Sequence, residues 1–186
     1  PAAWTTWTTT TSDSWAAVTL ALRPAPTTTI SNFVTGEPSD STIAPAASAW
    51  LDSFGLQTNA GSDTVTGATV TLAAGTGVRI ATVAITNDGN TVTYCSAAPS
   101  GDTATLSTCG IPVSTTNTQF EIQITAISHA TMPVPPGGSY AVTGTVTAFT
   151  STNSQSGTDS GSATVTIDNA SPNGATSVSG SAGNAA

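Results

Sequence analysis

The sequence predicts an all-β protein, on the strength of three observations. Several segments alternate apolar and polar residues with a period of two, which is typical of strands with one buried face. Gly, Pro, Asn and Ser residues separate these segments, and no long segment has a convincing helical period. Thr and Ser supply 39 and 23 of the 186 residues, and β-branched Thr suits a pleated surface. We therefore expect about seven to nine short strands.

The central part of the chain, 27–168, carries most of these strand patterns. Each pattern places its apolar residues on one face, which is expected to pack against the core. The patterns lie at Ala68, Val70 and Leu72; at Phe120, Ile122, Ile124 and Ala126; at Tyr140, Val142, Val146 and Ala148; and at Ala163, Val165 and Ile167.

Smaller signals place turns and irregularities between these strands. The residues Asn87–Asn90 contain an Asp-Gly pair that accepts positive φ, so they predict a hairpin between 80–85 and 91–95. Gly67, just before an alternating segment, predicts a bulge. Trp50 and Phe54 are assigned to the core.

The first 26 residues form a separate zone. They hold Trp4, Trp7 and Trp15, and Val18, Leu20 and Leu22 lie on one face of an alternating segment before the Pro-rich break at 23–26. We therefore expect an N-terminal extension strand over 1–26, a sandwich over 27–168 and a flexible linker over 169–186. Because the chain begins at Pro1, a processed form or a fragment is expected.

Charge and hydropathy exclude two classes of function. The net charge is −8, and Arg23 and Arg79 are the only permanent cations, so nothing neutralises a phosphate backbone or an anionic bilayer. No apolar run approaches the roughly 20 residues of a membrane-spanning helix. We therefore expect neither nucleic-acid binding nor membrane insertion.

The two cysteines indicate the compartment. Cys95 and Cys109 form an even pair in a Thr-rich chain without Lys, which favours one disulfide and an extracellular or cell-surface location. Two buried free thiols are the alternative. A zinc site is disfavoured because His129 is the only His and no CxxC spacing is present.

Catalytic residues, a metal and a cofactor are not expected from the sequence. The ten acids occur singly, and the nearest pair, Glu37 and Asp40, flanks Pro38 in a predicted loop and is interpreted as two solvated turn residues. His129 has no GxSxG partner for a triad. Asp168 and Asn169 could hold Ca²⁺ at a sandwich end, with a turn-forming role as the alternative. Asn169 also opens a formal glycosylation sequon.

Longer segments resemble modules of large bacterial secreted and surface proteins. The segment Ser12–Pro24 resembles the closing strand of concanavalin-A-like jelly rolls. Residues 27–172 resemble a bacterial immunoglobulin-like repeat, which ends in the strand and linker Ala163–Pro172. Residues Ala175–Asn184 resemble the start of a fibronectin-type module. The resemblance implies an immunoglobulin-like β-sandwich, surface display, and adhesion or assembly, with no catalytic residues.

These observations predict a non-enzymatic structural protein that forms a homopolymer. A lone jelly-roll strand leaves its backbone groups unpaired, so residues 1–23 are expected to complete the sheet of a neighbouring subunit by donor-strand complementation. Docking of the same strand within its own chain is the alternative. The assembly residues would be Trp4, Trp7, Trp15, Val18, Leu20 and Leu22. The alternative function is a glycan-binding or surface-binding module, with Trp4, Trp7 and Trp50 as stacking platforms.

Overall fold

A computed structural model of the chain describes residues 23–132 and 138–170, and these residues form a β-sandwich. The all-β prediction is confirmed: the described residues contain twelve strands, three single-turn 3₁₀ helices and no α-helix. The 3₁₀ helices are Val34–Gly36, Gly77–Arg79 and His129–Thr131. The strands are β1 Thr27–Asn32, β2 Ser41–Ile43, β3 Ser48–Thr58, β4 Asp63–Leu72, β5 Ile80–Asn87, β6 Thr93–Ala97, β7 Thr103–Val113, β8 Thr118–Ala126, β9 Ser139–Val142, β10 Gly144–Ser151, β11 Ser154–Thr158 and β12 Val165–Asp168.

Twelve strands exceed the seven to nine expected because several of them are very short. Strands β2 and β11 have three and five residues, and β11 carries no apolar side chain by which alternation could reveal it. Strands β9 and β10 follow each other and are separated only by Thr143. In the described residues, no helix is long and apolar enough to cross a membrane.

One layer of the sandwich is a six-stranded sheet in the order β11-β1-β3-β8-β5-β6. All its pairs are antiparallel except β1 with β11, which run parallel. Strands β5 and β6 form the predicted hairpin around Asn87–Asn90. Strand β11 lies at one edge of this sheet, and β6 lies at the other.

The opposite layer contains two three-stranded sheets, β10-β4-β7 and β2-β12-β9. The chain passes from β9 to β10 through Thr143, whose carbonyl accepts a hydrogen bond from Ala73 N–H at 2.9 Å. The last strand, β12, pairs parallel with β2 and antiparallel with β9. Two of the crossings from the first layer, 33–40 and 159–164, enter this three-stranded sheet.

The core fills the space between the two layers. The predicted inward residues Phe120, Ile122, Ile124 and Ala126 are buried, as are Ala163, Val165 and Ile167. Phe54 and Phe120 contact each other with ring centroids 5.9 Å apart, and burying each such side chain contributes roughly 1.5–3 kcal/mol. The predicted bulge beside Gly67 is present, because the β4–β7 register shifts between Val65 and Gly67.

Two core assignments are wrong, and a β-bulge explains each. The β3–β8 register shifts between Trp50 and Asp52, so Trp50 leaves the face that Phe54 occupies and is 42% exposed. The β10–β4 register shifts between Val146 and Ala148, which exposes Ala148 and turns Phe149 toward the core. A single extra residue reverses the alternation beyond it, and period-two patterns do not reveal where that residue lies.

The predicted disulfide between Cys95 and Cys109 is present, with the Cα atoms 4.6 Å apart. Cys95 lies in β6 and Cys109 in β7, so the bond joins the edges of the two layers on one side of the sandwich. The opposite side, where β1 and β11 face β10, has no such covalent link.

Candidate functional site

Three carboxyl groups meet at the side of the sandwich away from the disulfide. Asp52 lies in β3, directly after the bulged residue Leu51. Glu37 lies on the 33–40 crossing and Asp159 on the 159–164 crossing, and both interact electrostatically with Asp52. We call Glu37, Asp52 and Asp159 the acidic cluster.

The two crossings run side by side, which brings these distant residues together. Asp40 Oδ1 accepts a hydrogen bond from Thr164 N–H at 2.7 Å, and Ser41 N–H donates to the Thr164 carbonyl at 3.1 Å. Ala163 N–H donates to the carbonyl of Leu51 at 2.8 Å, which ties the second crossing to the β3 bulge.

Asp52 is buried, Glu37 and Asp159 are half-buried, and the acidic cluster is poor in hydrogen-bond donors. The oxygens of Asp52 and Glu37 have only the Ser53 backbone and the carboxyl groups of the cluster itself as hydrogen-bond partners. Asn32 Oδ1 is also buried without a donor. Buried charge without compensation costs several kcal/mol, so this arrangement demands protons or an external cation.

Burial and mutual repulsion change the protonation of all three groups. Burial first, and then the neighbouring Asp159, raise the pKa of Asp52 to about 10. Burial also raises the pKa of Glu37 and of Asp159, and hydrogen bonding to Asp52 opposes both shifts. Neither arginine contributes to these shifts. Asp52 is therefore protonated at neutral pH and shares its proton with its neighbours.

Backbone N–H groups orient Asp159, and Gly161 leaves space beside Glu37. Asp159 Oδ2 accepts a hydrogen bond from Val146 N–H at 3.0 Å, and its Oδ1 accepts one from Ser160 N–H at 3.0 Å. Gly161 has a φ of +93°, and a Cβ there would lie 3.0 Å from Asn32 Nδ2 and 3.9 Å from Glu37 Cδ. The Asn32 amide and the Glu37 carboxyl thus approach the same glycine.

The edge of β10 beside the cluster is paired by side chains instead of by a strand. Val146 N–H bonds Asp159, and Gly144 N–H bonds Ser162 Oγ at 3.3 Å. With its amide oriented to suit both neighbours, Gln155 donates to the Phe149 carbonyl at 3.0 Å and accepts from Ser151 N–H at 3.1 Å. We call this side of β10, together with β11, the open edge.

A groove of about 420 Å³ runs along the open edge. Ile30 of β1 and Val146 and Phe149 of β10 give it an apolar floor, while residues 155–159 supply polar walls. All five residues of β11 are exposed. The groove therefore borders a strand whose outer side pairs with no strand in the described part of the chain.

A second carboxylate holds the far end of the β10–β11 hairpin. Asp63 accepts hydrogen bonds from Thr28 Oγ1, from Thr64 N–H at 2.7 Å, and from Thr152 Oγ1 at 2.6 Å. Although burial alone would raise the pKa of Asp63, these donors outweigh it and lower that pKa below its ordinary value. Asp63 therefore stays ionised and connects β4, β1 and the hairpin turn.

Trp50 lines a separate groove of about 450 Å³, to which β2, β3 and β8 all contribute residues. Ser39, Ser41 and Ser48 supply hydroxyls along it, and Glu121 also lines it. Burial raises the pKa of Glu121, whose Oε2 has no hydrogen-bond donor. An exposed indole beside hydroxyl and carboxyl groups has the chemistry to stack on a sugar ring.

The interpretation of Glu37 as a solvated turn residue is wrong, although Asp40 is exposed as expected. Glu37 turns inward because the 33–40 crossing passes over Asp52. Sequence reasoning also missed Asp52 and Asp159. An acid between Leu51 and Phe54 within a strongly apolar strand was the available signal for Asp52. Asp159 carries no such signal, since Asp-Ser-Gly is an ordinary turn sequence.

Asp168 and Asn169, which the sequence offered as calcium ligands, instead make hydrogen bonds within the protein. Asp168 accepts a hydrogen bond from Ala170 N–H at 3.0 Å, as in a turn. Asn169 has no exposed surface, and its Oδ1 bonds His129 Nδ1 at 2.5 Å. The buried amide of Asn169 is not available as a glycosylation acceptor in this fold.

The predicted assembly residues Trp4, Trp7, Trp15, Val18, Leu20 and Leu22 lie outside the described residues. Among the described residues, no group of three or more His, Cys, Asp or Glu side chains could hold a metal ion. No protein-family model matches the chain, and none of the curated proteins compared with it is significantly similar.

Proposed function

We propose that this chain is a non-enzymatic, extracellular structural protein, an immunoglobulin-like sandwich that assembles head to tail into a surface fibre or matrix. Residues 1–23 of one copy would add to the open edge of the next copy. The observation that carries the proposal is the open edge itself, where side chains hold the positions that a strand's backbone would take.

The edge strand β11 lacks the usual protection against pairing with another chain. Natural edge strands carry Lys, Pro or inward-pointing charges that block such pairing. Strand β11 contains only Ser, Gln, Gly and Thr, and all its residues are exposed. On the outer side of β11, an added strand would meet backbone groups that pair with no strand in the described part of the chain, and it would cover no charged side chain of β11. Such pairing at a sheet edge is the basis of β-augmentation.

The chain also enters the fold beside this edge. The Pro26 carbonyl accepts a hydrogen bond from Ser154 N–H at 3.2 Å, so the residue before β1 lies at the first residue of β11. The donor strand of one copy would contact the acceptor edge of the next, so the two copies would use different surfaces, which makes the contact heterologous. A heterologous contact propagates as a filament unless it closes into a ring.

Electron microscopy and sedimentation of three variants test the proposal. We expect the full chain to form filaments, and we expect deletion of residues 1–23 to leave monomers. Thr158→Lys places a charge on the exposed groove wall and should block assembly, whereas Thr105→Lys, on an exposed position of β7, should not. Circular dichroism checks that all variants fold. Unchanged filaments from the deletion variant or from Thr158→Lys would refute the donor-strand assignment.

The exposure of Trp50 favours a second candidate function, a glycan-binding module. Under this alternative, a monomer would be retained on immobilised polysaccharide, and Trp50→Ala would abolish retention. Val78→Ala, which also removes an exposed apolar side chain, is the matched control. Equal retention of the two variants would exclude the Trp50 groove as the binding surface.

A further inference from the structure

We propose that the Trp50 groove binds a cationic amino sugar, with the ring stacked on the Trp50 indole and the ammonium group held by Glu121. This inference rests on the second candidate function, glycan binding at the same groove, and names its ligand class. The observation behind it is Glu121, which lines the groove, is only 6% exposed, and has a carboxyl oxygen, Oε2, without a hydrogen-bond partner. A buried carboxylate is normally paired with a cation or with several donors.

The neighbours of Glu121 supply little to neutralise its carboxyl group. Ser53 of β3 and Thr86 of β5 lie directly opposite Glu121 on the two adjacent strands, yet neither hydroxyl donates to it. Its Oε1 accepts one hydrogen bond, from Gln119 Nε2 at 3.5 Å, which is the outer limit of such a contact. Burial first, and then repulsion from Asp88, raise the pKa of Glu121. No cation among the described residues opposes these effects, so the carboxyl group lacks a positive partner.

Trp50 lies on the strand next to Glu121 and on the same face. It pairs with Gln123 of β8, which is two residues from Glu121, and side chains two residues apart on a strand point the same way. Diagonal neighbours of this kind are about 7–8 Å apart, so one ligand can contact both side chains. An exposed indole face attracts an ammonium group through a cation–π interaction as well as offering a stacking surface.

The charge of the chain favours a cationic sugar over a neutral or an anionic one. The net charge is −8 and the chain contains no lysine, so its field concentrates cations at the surface. An ammonium group donates up to three hydrogen bonds and brings the charge that Glu121 lacks, whereas a neutral hydroxyl brings no charge. Ser39, Ser41 and Ser48 line the same groove and can bond the ring hydroxyls. A groove of about 450 Å³ is within the range of small-molecule sites.

Isothermal titration of the full chain with two β-1,4-linked tetrasaccharides, one of glucosamine and one of glucose, tests the inference at pH 6, where an amine is protonated. We expect the wild type to bind the glucosamine tetramer at least tenfold more tightly. Trp50→Ala should abolish binding of both sugars, and Glu121→Gln should remove the preference while retaining weak binding. Asp168→Asn, which removes an exposed charge that does not act on Glu121, is the matched control and should keep the preference. Circular dichroism checks that all variants fold.

Acidification gives a second measurement of the same contact. Protonation of Glu121 competes with the ammonium group, and the pKa of Glu121 lies above its ordinary value of 4.5. The affinity of the wild type for the glucosamine tetramer should therefore fall at least about threefold between pH 6 and pH 4.5. The affinity of Glu121→Gln should stay constant over the same range.

The possible failures separate the ligand class from the glycan-binding function. Equal affinity for the two sugars in the wild type, or a preference that survives Glu121→Gln, would overturn the amino-sugar assignment and leave glycan binding standing. Loss of the preference in Asp168→Asn, or affinity that does not fall on acidification, would overturn the assignment of the ammonium group to Glu121. No binding of either sugar, or binding unchanged in Trp50→Ala, would refute the glycan function of the groove as well.

Discussion

Replacing Asp52 by Asn should stabilise the protein at neutral pH. Asp52 is protonated in the folded state and ionised in the unfolded chain, because its pKa is about 10 when folded and 3.8 ordinarily. The folded state therefore binds a proton that the unfolded state lacks, and wild-type stability falls as the pH rises above about 4. Asn has the same shape but no proton to take up.

The size of the effect follows from the pKa difference. Each pH unit between the two pKa values costs about 1.4 kcal/mol, so a rise from pH 3.8 to pH 7 removes up to about 4 kcal/mol of wild-type stability. Asp52→Asn should recover most of this difference at pH 7 and little of it near pH 4. The free energies of unfolding of the wild type and of Asp52→Asn should converge at acidic pH, where Asp52 is protonated in both the folded and the unfolded state.

Urea unfolding, followed by tryptophan fluorescence at pH 4, 5, 6 and 7, measures the effect. The exposed variant Asp168→Asn is the control and should follow the wild type at every pH, because Asp168 is not among the groups that shift the pKa of Asp52. If Asp52→Asn is less stable than the wild type at pH 7, or if the two curves stay parallel from pH 4 to 7, then Asp52 is not held protonated by burial.

Three further perturbations test other parts of the fold. Replacing Cys95 and Cys109 together by Ala should lower the free energy of unfolding by about 3 kcal/mol, because the bond closes a loop with a sequence separation of 14; urea unfolding measures it. Asp63→Asn should lower the free energy of unfolding by about 1.5–3 kcal/mol at pH 7. This loss should shrink as the pH falls below about 4, because the lowered pKa of Asp63 stabilises the fold only while Asp63 is ionised in the unfolded chain. Gly157→Ala should lower the Tm, measured by thermal melting, more than Gly89→Ala does. Both glycines have a φ of +81°, but a Cβ at Gly157 would meet a carbonyl oxygen of β1, whereas a Cβ at Gly89 would meet open space.

The alternating patterns predicted the strands well where no bulge interrupts them. In β8, Phe120, Ile122 and Ile124 are buried as the sequence pattern predicts, although Glu121 on the opposite face is buried as well. In β3 and β10, a bulge reverses the pattern, so Trp50 and Ala148 emerge on the opposite side from their expected neighbours. The cause is geometric: side chains repeat every two residues, and one inserted residue shifts every residue beyond it.

The acidic cluster lay beyond sequence reasoning for a different reason. Its members are separated by 15 and 107 positions along the chain (37 to 52 and 52 to 159), and only the parallel course of two crossings brings them together. Taken singly, Glu37 and Asp159 look like ordinary turn residues. Their burial and raised pKa values arise from what packs over them, which no local pattern encodes.

By itself, the sequence determined the all-β class, the pairing of its two cysteines and the scarcity of cations. These properties follow from composition and from local periodicity, because strand formation depends on neighbouring residues and an even pair of thiols leaves one disulfide. Tertiary structure alone decided which acids became buried and which edge stayed open, since both depend on how chain segments far apart in sequence cross between the two layers.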